Sequence, residues 1–269
     1  MRARNRWPVS FFCAPLLAMG LALASAHSAE QADKKEEKKP EPPRVAVALP
    51  LAVKRGTTNK IVIRGLNLTN VTALRFTNQA VKASIVLGKK TKAEVPKEAD
   101  AKKVGDTQIA AEIFLSAETR VGTNWFTLTS ADGTSEPKPL VFLSPADLIE
   151  EREPNGGFRE AQSLSIGQTL SGTIKEVGDV DVFRFEGRAG QIIRLEIFAA
   201  TAGSTLDSLI MLYDGPCRLL ASNDDAGGGR DSLLWTKLTV TGVHYVTVMD
   251  ANDKAGPTHV YLLRVGGGE

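Results

Sequence analysis

Runs of alternating apolar and polar residues recur along most of the chain. Phe183 and Phe185 alternate with Arg184 and Glu186, and a period of two places the apolar side chains on one face of a β-strand. The run from Leu209 to Tyr213 is apolar throughout, which predicts a central strand covered on both faces. Strands are predicted at residues 60–65, 72–76, 82–87, 107–115, 124–130, 139–143, 183–186, 193–197, 209–213, 233–240, 244–250 and 258–265.

A long helix is not expected after residue 43, because no segment there has a sustained apolar stripe at helical spacing. Short strands separated by turn sequences such as Asp132-Gly133 are typical of β-sandwiches. The chain is therefore predicted to be all-β, with two consecutive β-sandwich domains over residues 44–149 and 150–269. The hydrophilic stretch Lys89–Lys103 is predicted to interrupt the first domain as a solvated loop.

The first 29 residues have the pattern of an export signal. Three arginines lie within the first six residues, an uncharged and largely apolar stretch runs from Trp7 to Ala26, and small residues surround Ala26 and Ala29. These are the parts of a secretory signal peptide. Residues 1–26 are therefore predicted to be removed, with cleavage after Ala26 or Ala29, and the protein to be secreted or to reside in the periplasm or cell envelope. An uncleaved anchor remains open, because about 20 apolar residues can span a bilayer.

Residues 27–43 are predicted to form a disordered linker. This stretch is rich in charged residues and ends in prolines, and such a composition cannot bury apolar area. Cleavage of the signal would leave Cys217 as the sole cysteine, so that no disulfide can form within the chain. No stable membrane span is expected after cleavage.

The net charge of +2 conceals two halves of opposite sign. Residues 44–149 hold 15 lysines and arginines against 9 acidic residues, whereas residues 150–269 hold 11 against 17. Such charges suggest that the halves dock on one another or on a neighbouring copy, within a Debye length of about 8 Å. Nucleic acid is not expected as a partner, because the lysines of Lys89–Lys103 are interleaved with acids and have no aromatic neighbour to stack on a base.

Several motifs follow one another in order through the second half. They are EREPNGGFREAQSL at 151–164, GDVDVFRF at 178–185, AGQIIRLEI at 189–197, STLDSLIMLYD at 204–214, LLASNDDAGGGRDSLL at 219–234, GVHYVTVMD at 242–250 and THVYLLRV at 258–265. Through these motifs the second half resembles the bacterial pre-peptidase C-terminal domain over residues 150–265. Members of that family are jelly-roll-like β-sandwiches attached to secreted peptidases and other exported proteins, and they are similar to the calcium-binding collagen-binding domains of clostridial collagenases. The resemblance implies a jelly-roll-like sandwich for residues 150–269.

The first half contains weaker motifs, KRGTTNKIVIRGLNL at 54–68, TALRF at 72–76 and GTNWFTLTSADGTSEP at 122–137. Through them it resembles the immunoglobulin-like IPT/TIG domains. The resemblance implies an Ig-like sandwich for residues 44–149.

Oxygen-bearing side chains alternate where the second half begins. Glu151, Glu153 and Asn155 point the same way in an extended segment. Neighbouring members start about 6.6 Å apart there, too far for one ion unless Pro154 and the following glycines bend the segment. A polar stretch with a turn at Asn155 is the alternative interpretation.

The similarity to collagen-binding domains implies calcium as a possible cofactor, because acids and an asparagine ligate calcium there. Gly156 stands where relatives often have an aspartate, which removes one carboxylate from the implied site. A second acidic loop, Asn223 to Asp225, is followed by three glycines from Gly227 and is predicted to be a turn. The implied calcium ligands are Glu151, Glu153, Asn155, Asp181 and Asp179.

Catalytic motifs of the types G-x-S-x-G, H-E-x-x-H and C-x-x-C do not occur. His244 shares a strand face with Val246 and Val248, which predicts a core histidine, and Cys217 is predicted to be an inert thiol in a turn. The protein is therefore predicted not to be an enzyme but an exported binding or structural protein that recognises an extracellular or cell-envelope protein or polysaccharide. The alternative is an accessory subunit that aids secretion or substrate targeting of a separate secreted peptidase or hydrolase.

Overall fold

The computed structural model describes residues 40–97 and 99–267, which form four β-sheets. The all-β prediction is confirmed: the helices described are the single turn α1, Ala101–Val104, and a 3-10 turn at Ala200–Ala202. The predicted signal peptide and linker residues 27–39 lie outside the described residues. The strands are β1 Arg44–Leu49, β2 Ala52–Lys54, β3 Thr58–Leu66, β4 Ala73–Phe76, β5 Ala83–Lys92, β6 Thr107–Leu115, β7 Gly122–Ser130, β8 Gly133–Thr134, β9 Lys138–Leu143, β10 Leu148–Glu150, β11 Gln162–Ser163, β12 Thr169–Thr173, β13 Asp181–Gly187, β14 Ile192–Phe198, β15 Ser208–Asp214, β16 Leu219–Asn223, β17 Leu233–Lys237, β18 Gly242–Asp250 and β19 Val260–Gly267.

The first sandwich consists of two sheets with strand orders β1-β3-β6-β5 and β2-β9-β7-β4. The chain changes sheets at Pro50, so that β1 runs antiparallel to β3 whereas β2 runs parallel to β9. This arrangement matches that of immunoglobulin-type sandwiches, in which the first, second, fourth and fifth strands share a sheet. Inward-facing side chains such as Ile63, Ile109, Phe126 and Phe142 are fully buried between the sheets.

The prediction of a solvated loop at Lys89–Lys103 was wrong at both ends. Strand β5 continues to Lys92, which pairs with Thr107 of β6, and residues 101–104 form α1 with Asp100 as its N-cap. The strand continues because its backbone ladder with β6 does not depend on apolar side chains, and the lysines on it face solvent.

The second sandwich consists of two five-stranded sheets with orders β10-β12-β19-β14-β17 and β11-β13-β18-β15-β16. Their inner faces bury a continuous apolar core that includes Phe183, Leu195 and Leu212. Strand β15 lies inside its sheet, as predicted, but only one of its faces is fully buried. On the other face Tyr213 is half-buried beneath Phe158, whose ring is 5.2 Å away.

The two sandwiches contact each other through an apolar cluster rather than mainly through charge. One ion pair, Lys54 to Glu150 at 3.3 Å, joins the halves at an exposed site, and such pairs contribute little. Gly203 approaches the first sandwich so closely that a β-carbon there would lie 2.0 Å from the carbonyl oxygen of Ala46. The predicted contact between the two halves therefore exists, but it is stabilised by the burial of apolar side chains rather than by opposite charges. The buried members of the cluster are Val47, Leu51, Ala52, Leu148, Ala202, Val260 and Leu262.

Candidate metal centre

The connecting segment, residues 151–157, crosses from one sheet of the second sandwich to the other. Its first residue, Glu151, donates its backbone N–H to Ser171 of β12 at 3.0 Å. Four residues later, the carbonyl of Asn155 accepts from Val182 of β13 at 2.9 Å. The Gln162 side chain holds the crossing by accepting from the Arg152 N–H and donating to the Glu150 carbonyl. The segment is therefore bent across the edge of the sandwich instead of continuing a straight strand.

This bend brings three carboxylates together. One carboxylate oxygen from each of Glu151, Glu153 and Asp181 lies within 4.8 Å of the other two. Asp181 is the first residue of β13 and is fully buried, whereas Glu151 is partly buried and Glu153 is exposed. The cluster thus opens to solvent on one side and ends in the protein interior on the other.

Two buried oxygen atoms at the inner end of the cluster have no hydrogen-bond donor. Asn155 is 0% exposed and donates its amide to Glu151 Oε1 at 3.1 Å, while its Oδ1 has no partner. Asp181 is also 0% exposed, and its Oδ2 accepts from the Tyr261 hydroxyl at 2.5 Å, while its Oδ1 has no partner. Buried polar atoms are almost always paired, because leaving one unpaired costs about 1 to 3 kcal/mol. The two oxygens are therefore candidate ligands for a cation, although a proton on Asp181 would also let this carboxyl bond to Glu151.

The pKa values at the inner end reflect crowded negative charge. Burial, the hydrogen bond to Glu151 and the charge of Glu151 together raise the pKa of Asp181 to about 9, although the hydrogen bond from Tyr261 opposes them. Burial, together with the charges of Asp181 and Glu151, also holds the pKa of Tyr261 well above its usual value. Without a cation, Asp181 therefore carries a proton at neutral pH, and a bound cation would displace that proton.

A lysine lies over the open side of the cluster. Lys175 follows β12, and its Nζ is 2.6 Å from Glu153 Oε1 and 3.3 Å from Glu151 Oε2. Although burial opposes it, these hydrogen bonds and the two carboxylate charges raise the pKa of Lys175. Sequence reasoning did not identify Lys175, because it lies 24 residues from Glu151 along the chain. Only the pairing of the connecting segment with β12 brings the two together.

Asp179, the fifth predicted ligand, is used differently. Its Oδ2 accepts from the backbone N–H of Lys175 at 2.7 Å and thereby closes the turn before β13. It is not part of the three-carboxylate cluster among the residues described, although its charge contributes to the raised pKa of Asp181.

The other candidate groups lie in structural positions. His244 is 0% exposed and its ring stacks on Phe185 at 5.6 Å, which confirms a core histidine. Cys217 is an exposed free thiol with a φ of 63°. In the second acidic loop, Asn223 Oδ1 accepts from the Leu233 N–H at 2.8 Å and its amide donates to the Asp225 carbonyl at 2.9 Å. These bonds stabilise a turn.

The clustered side chains fit a hard cation. The atoms that could ligate a metal are all oxygens, from the carboxylates of Glu151, Glu153 and Asp181 and the amide of Asn155. The oxygens of Glu151 and Glu153 already accept hydrogen bonds, including those from Lys175. Calcium binds about 6 to 8 oxygens and accepts irregular geometry, so carboxylates that bind through both oxygens, backbone carbonyls or water would complete the shell. Softer metals prefer imidazole or thiolate, and this cluster offers neither.

No family model matches the chain. Over 141 residues, 50% of its length, the chain is 36% identical to a probable subtilase-type serine protease of Deinococcus radiodurans. The match covers 19% of that protein. The chain thus shares one segment with a much longer protease.

Two solved structures show a limited similarity. The pre-peptidase C-terminal domain of a collagenase from Bacillus anthracis aligns with 43% of this chain and 99% of its own length, at 17% identity and a TM-score of 0.33. SGBP-B from a mixed-linkage glucan utilization locus of Bacteroides ovatus, solved with a heptasaccharide, aligns with 77% of this chain and 74% of its own, at 12% identity and a TM-score of 0.26. At such scores the fold rests on the strand order described above. Among the residues described, no helix has the length and apolar character needed to cross a membrane.

Proposed function

We propose that this chain is an exported, non-catalytic binding module whose second sandwich holds one calcium ion. The observation that carries the proposal is the pair of buried oxygens on Asn155 and Asp181 that lack hydrogen-bond donors. They lie beside two further carboxylates, those of Glu151 and Glu153. A divalent cation would satisfy all four side chains at once.

The bound ion would cross-link the connecting segment and β13. Its ligands come from the connecting segment and from β13, and the connecting segment is itself bonded to β12 of the other sheet. An ion that holds these parts together would fix the beginning of the second sandwich, in a chain whose described part contains one free cysteine and no disulfide. Calcium affinities of extracellular modules are about 10⁻⁴ to 10⁻³ M, which suits an exported protein.

A thermal melt in millimolar calcium and in chelator tests the ion. In about 10 mM calcium, a site with a Kd of about 10⁻⁴ to 10⁻³ M stabilises the native state by about 1.4 to 2.7 kcal/mol, which raises Tm by roughly 3 to 10 °C in a domain of this size. Magnesium at the same concentration should act less, because it requires six ligands in strict octahedral geometry. An unchanged midpoint in calcium would refute the calcium part of the proposal.

The recognition role concerns an extracellular or cell-envelope protein or polysaccharide. His244 lies in the core, Cys217 has no histidine among its hydrogen-bond partners, and the carboxylate cluster is bridged by a lysine. These placements favour binding over catalysis. Screening the purified chain against peptide, ester and glycoside substrates tests this, and turnover that survives repurification but is lost in an active-site variant would overturn it.

A second candidate function is favoured by the similarity to part of a probable serine protease. A module that occurs within a long protease can also act beside a separately encoded one, as an accessory for its secretion or substrate targeting. Capture with tagged protein from the exported fraction should then return one hydrolase in stoichiometric amount. Failure to recover any hydrolase favours the independent binding module.

A further inference from the structure

Part of one outer sheet face in the second sandwich is left uncovered by the first sandwich. The apolar cluster between the sandwiches covers Leu148, Val260 and Leu262 of the sheet β10-β12-β19-β14-β17. Towards the β17 edge the same face is open, and Trp235 there is 60% exposed. We call this region the Trp235 platform; its outward residues are Ile192, Arg194, Glu196, Leu233, Trp235, Lys237, Arg264 and Gly266.

The strand register arranges the Trp235 platform in rows. Trp235 pairs with Arg194, and Arg194 pairs with Gly266, so these three form one row across the strands β17, β14 and β19. The next row contains Arg264 and Glu196. Strands lie about 4.8 Å apart and rows about 6.8 Å apart, so the platform measures roughly 10 by 14 Å, enough for two sugar rings.

Trp235 is held in place from one side only. The guanidinium carbon of Arg194 lies 5.6 Å from the centroid of its ring, and Arg194 is in turn fixed by Glu196 Oε1 at 2.8 Å. Trp235 is nevertheless 60% exposed, so that much of its surface is available to a ligand. An indole held in this way offers a flat apolar surface at little entropic cost.

The charge of the Trp235 platform is opposite to that of its half of the chain. Residues 150–269 hold 17 acidic residues against 11 basic ones, yet the platform carries Arg194, Arg264 and Lys237 against Glu196 alone. Glu196 is paired with Arg194. Arg264 and Lys237 have no ion-pair partner among residues 40–97 and 99–267. Two cations are therefore free to meet an anionic ligand.

The platform is one face of a sheet, on which the side chains stand in rows. Two grooves on the described part of the chain lie beside β13, and no platform residue lines either of them. Peptides are usually recognised through pockets for alternate side chains or through strand addition, whereas a pyranose ring presents a flat C–H face that stacks on an aromatic ring.

From these observations we infer that the Trp235 platform binds a carboxylate-bearing polysaccharide. One sugar ring stacks on Trp235, and its carboxylate faces Lys237 or, one ring further along, Arg264. The inference specifies the ligand class of the binding module proposed above and rests on that function, but it does not depend on calcium.

Affinity electrophoresis of the full chain in carboxymethyl cellulose and in hydroxyethyl cellulose tests the inference, because the two polymers share a β-glucan backbone and differ in carboxylates. We expect retardation in carboxymethyl cellulose, a loss of affinity of roughly tenfold in Trp235→Ala, and no change in Trp125→Ala. Trp125 is the matched control, since it is another exposed strand tryptophan, at 43% exposure on β7. Arg264→Gln should weaken binding severalfold and reduce its salt dependence, and thermal melts verify that each variant is folded.

Absence of retardation, equal loss in Trp125→Ala, or retardation that Trp235→Ala leaves intact would each overturn the inference. Equal binding of hydroxyethyl cellulose would show that the platform does not select polymers that carry carboxylates. Equal binding of poly-glutamate would show that an acidic peptide is the true ligand class. The calcium melt is run on the same preparation. A calcium-dependent midpoint without polysaccharide binding overturns this inference alone, whereas a calcium-independent midpoint refutes only the proposed ion.

Discussion

Each sandwich buries a charged side chain, and the two side chains differ in whether their polar atoms have hydrogen-bond partners. Arg64 in the first sandwich is 5% exposed, and its guanidinium donates to three backbone carbonyls. Asp181 in the second is 0% exposed, and only one of its two oxygens has a donor. The Arg64 bonds go to the carbonyls of Glu94, Val104 and Gly105 at 2.6, 2.9 and 3.2 Å.

The comparison separates a buried charged side chain whose hydrogen-bond partners come from the protein from one that lacks a partner. Arg64 on β3 links that strand to the 89–105 stretch through hydrogen bonds. These charge-assisted bonds offset the free-energy cost of burying its guanidinium. Asp214, also buried in the second sandwich, accepts from the backbone N–H and Nε of Arg218, each at 2.8 Å. Burial alone therefore does not leave a carboxylate unpartnered in this sandwich. Asp181 differs in that one of its oxygens has no donor, and this is where we propose that the cation binds.

The largest expected effect concerns Arg64. Arg64→Met removes the donors of three carbonyls and should destabilise the protein by about 3 kcal/mol. The loss should be the same in calcium and in chelator, since Arg64 is remote from the cluster in the second sandwich. Urea unfolding measures it, with the exposed Arg75→Met as the control. A loss no larger than that of Arg75→Met would show that the carbonyl bonds contribute little.

The pH dependence of stability should distinguish Asp181 from an ordinary carboxylate. In chelator the folded state keeps a proton on Asp181 up to about pH 9, whereas the unfolded chain releases it near pH 4. The unfolded state thus binds fewer protons, so the free energy of unfolding should fall as pH rises from 7 to 9, by at most about 1.4 kcal/mol per pH unit.

This window also lies above the pKa of His259, which burial lowers from its usual value. The matched variant is Asp181→Asn, in which the fall should be absent and stability in chelator at pH 8 should exceed that of the wild type. Urea unfolding in chelator at pH 7, 8 and 9 measures both. A wild-type stability that is flat or rises over this window contradicts a protonated Asp181.

Lys175 should compete with the ion. Its ammonium lies within 3.3 Å of both exposed-side carboxylates, so Lys175→Met should raise calcium affinity by roughly three- to tenfold, the effect of a partly screened charge pair. Lys254→Met, at an exposed position on another loop, is the control and should leave affinity unchanged. Weaker calcium binding in Lys175→Met would mean that Lys175 organises the carboxylates rather than competes with the ion.

The smallest expected effect is at Gly156. A β-carbon there would meet only the Val180 carbonyl oxygen at 3.8 Å, an ordinary contact, so Gly156→Asp should fold normally. The additional carboxylate should increase calcium affinity by a few fold. Gly156→Asn is the control for size without charge, and an equal gain in both variants would exclude the charge as the cause.

Twelve of the described strands were predicted from their apolar and alternating runs, and His244 was placed in the core because it shares a strand face with Val246 and Val248. Seven strands were not predicted, namely β1, β2, β8, β10, β11, β12 and β16. The end of β5 at Lys92 was not predictable, because its ladder is made by backbone groups that carry no sequence pattern. Four of the five implied ligands meet in one place, but Lys175 and the Tyr261 hydroxyl join them only through strand pairing between distant segments. The apolar contact between the sandwiches could not be predicted either. In the sequence, apolar residues on the outer face of a sheet look the same as those that face the core of a sandwich.

Calorimetric titration of calcium into the wild type and Asp181→Asn, at pH 8, tests the central claim most directly. We expect one ion per wild-type chain, with a Kd of about 10⁻⁴ to 10⁻³ M, and no binding to the folded variant. Absence of calcium binding by the wild type, or equal binding by Asp181→Asn, would contradict it.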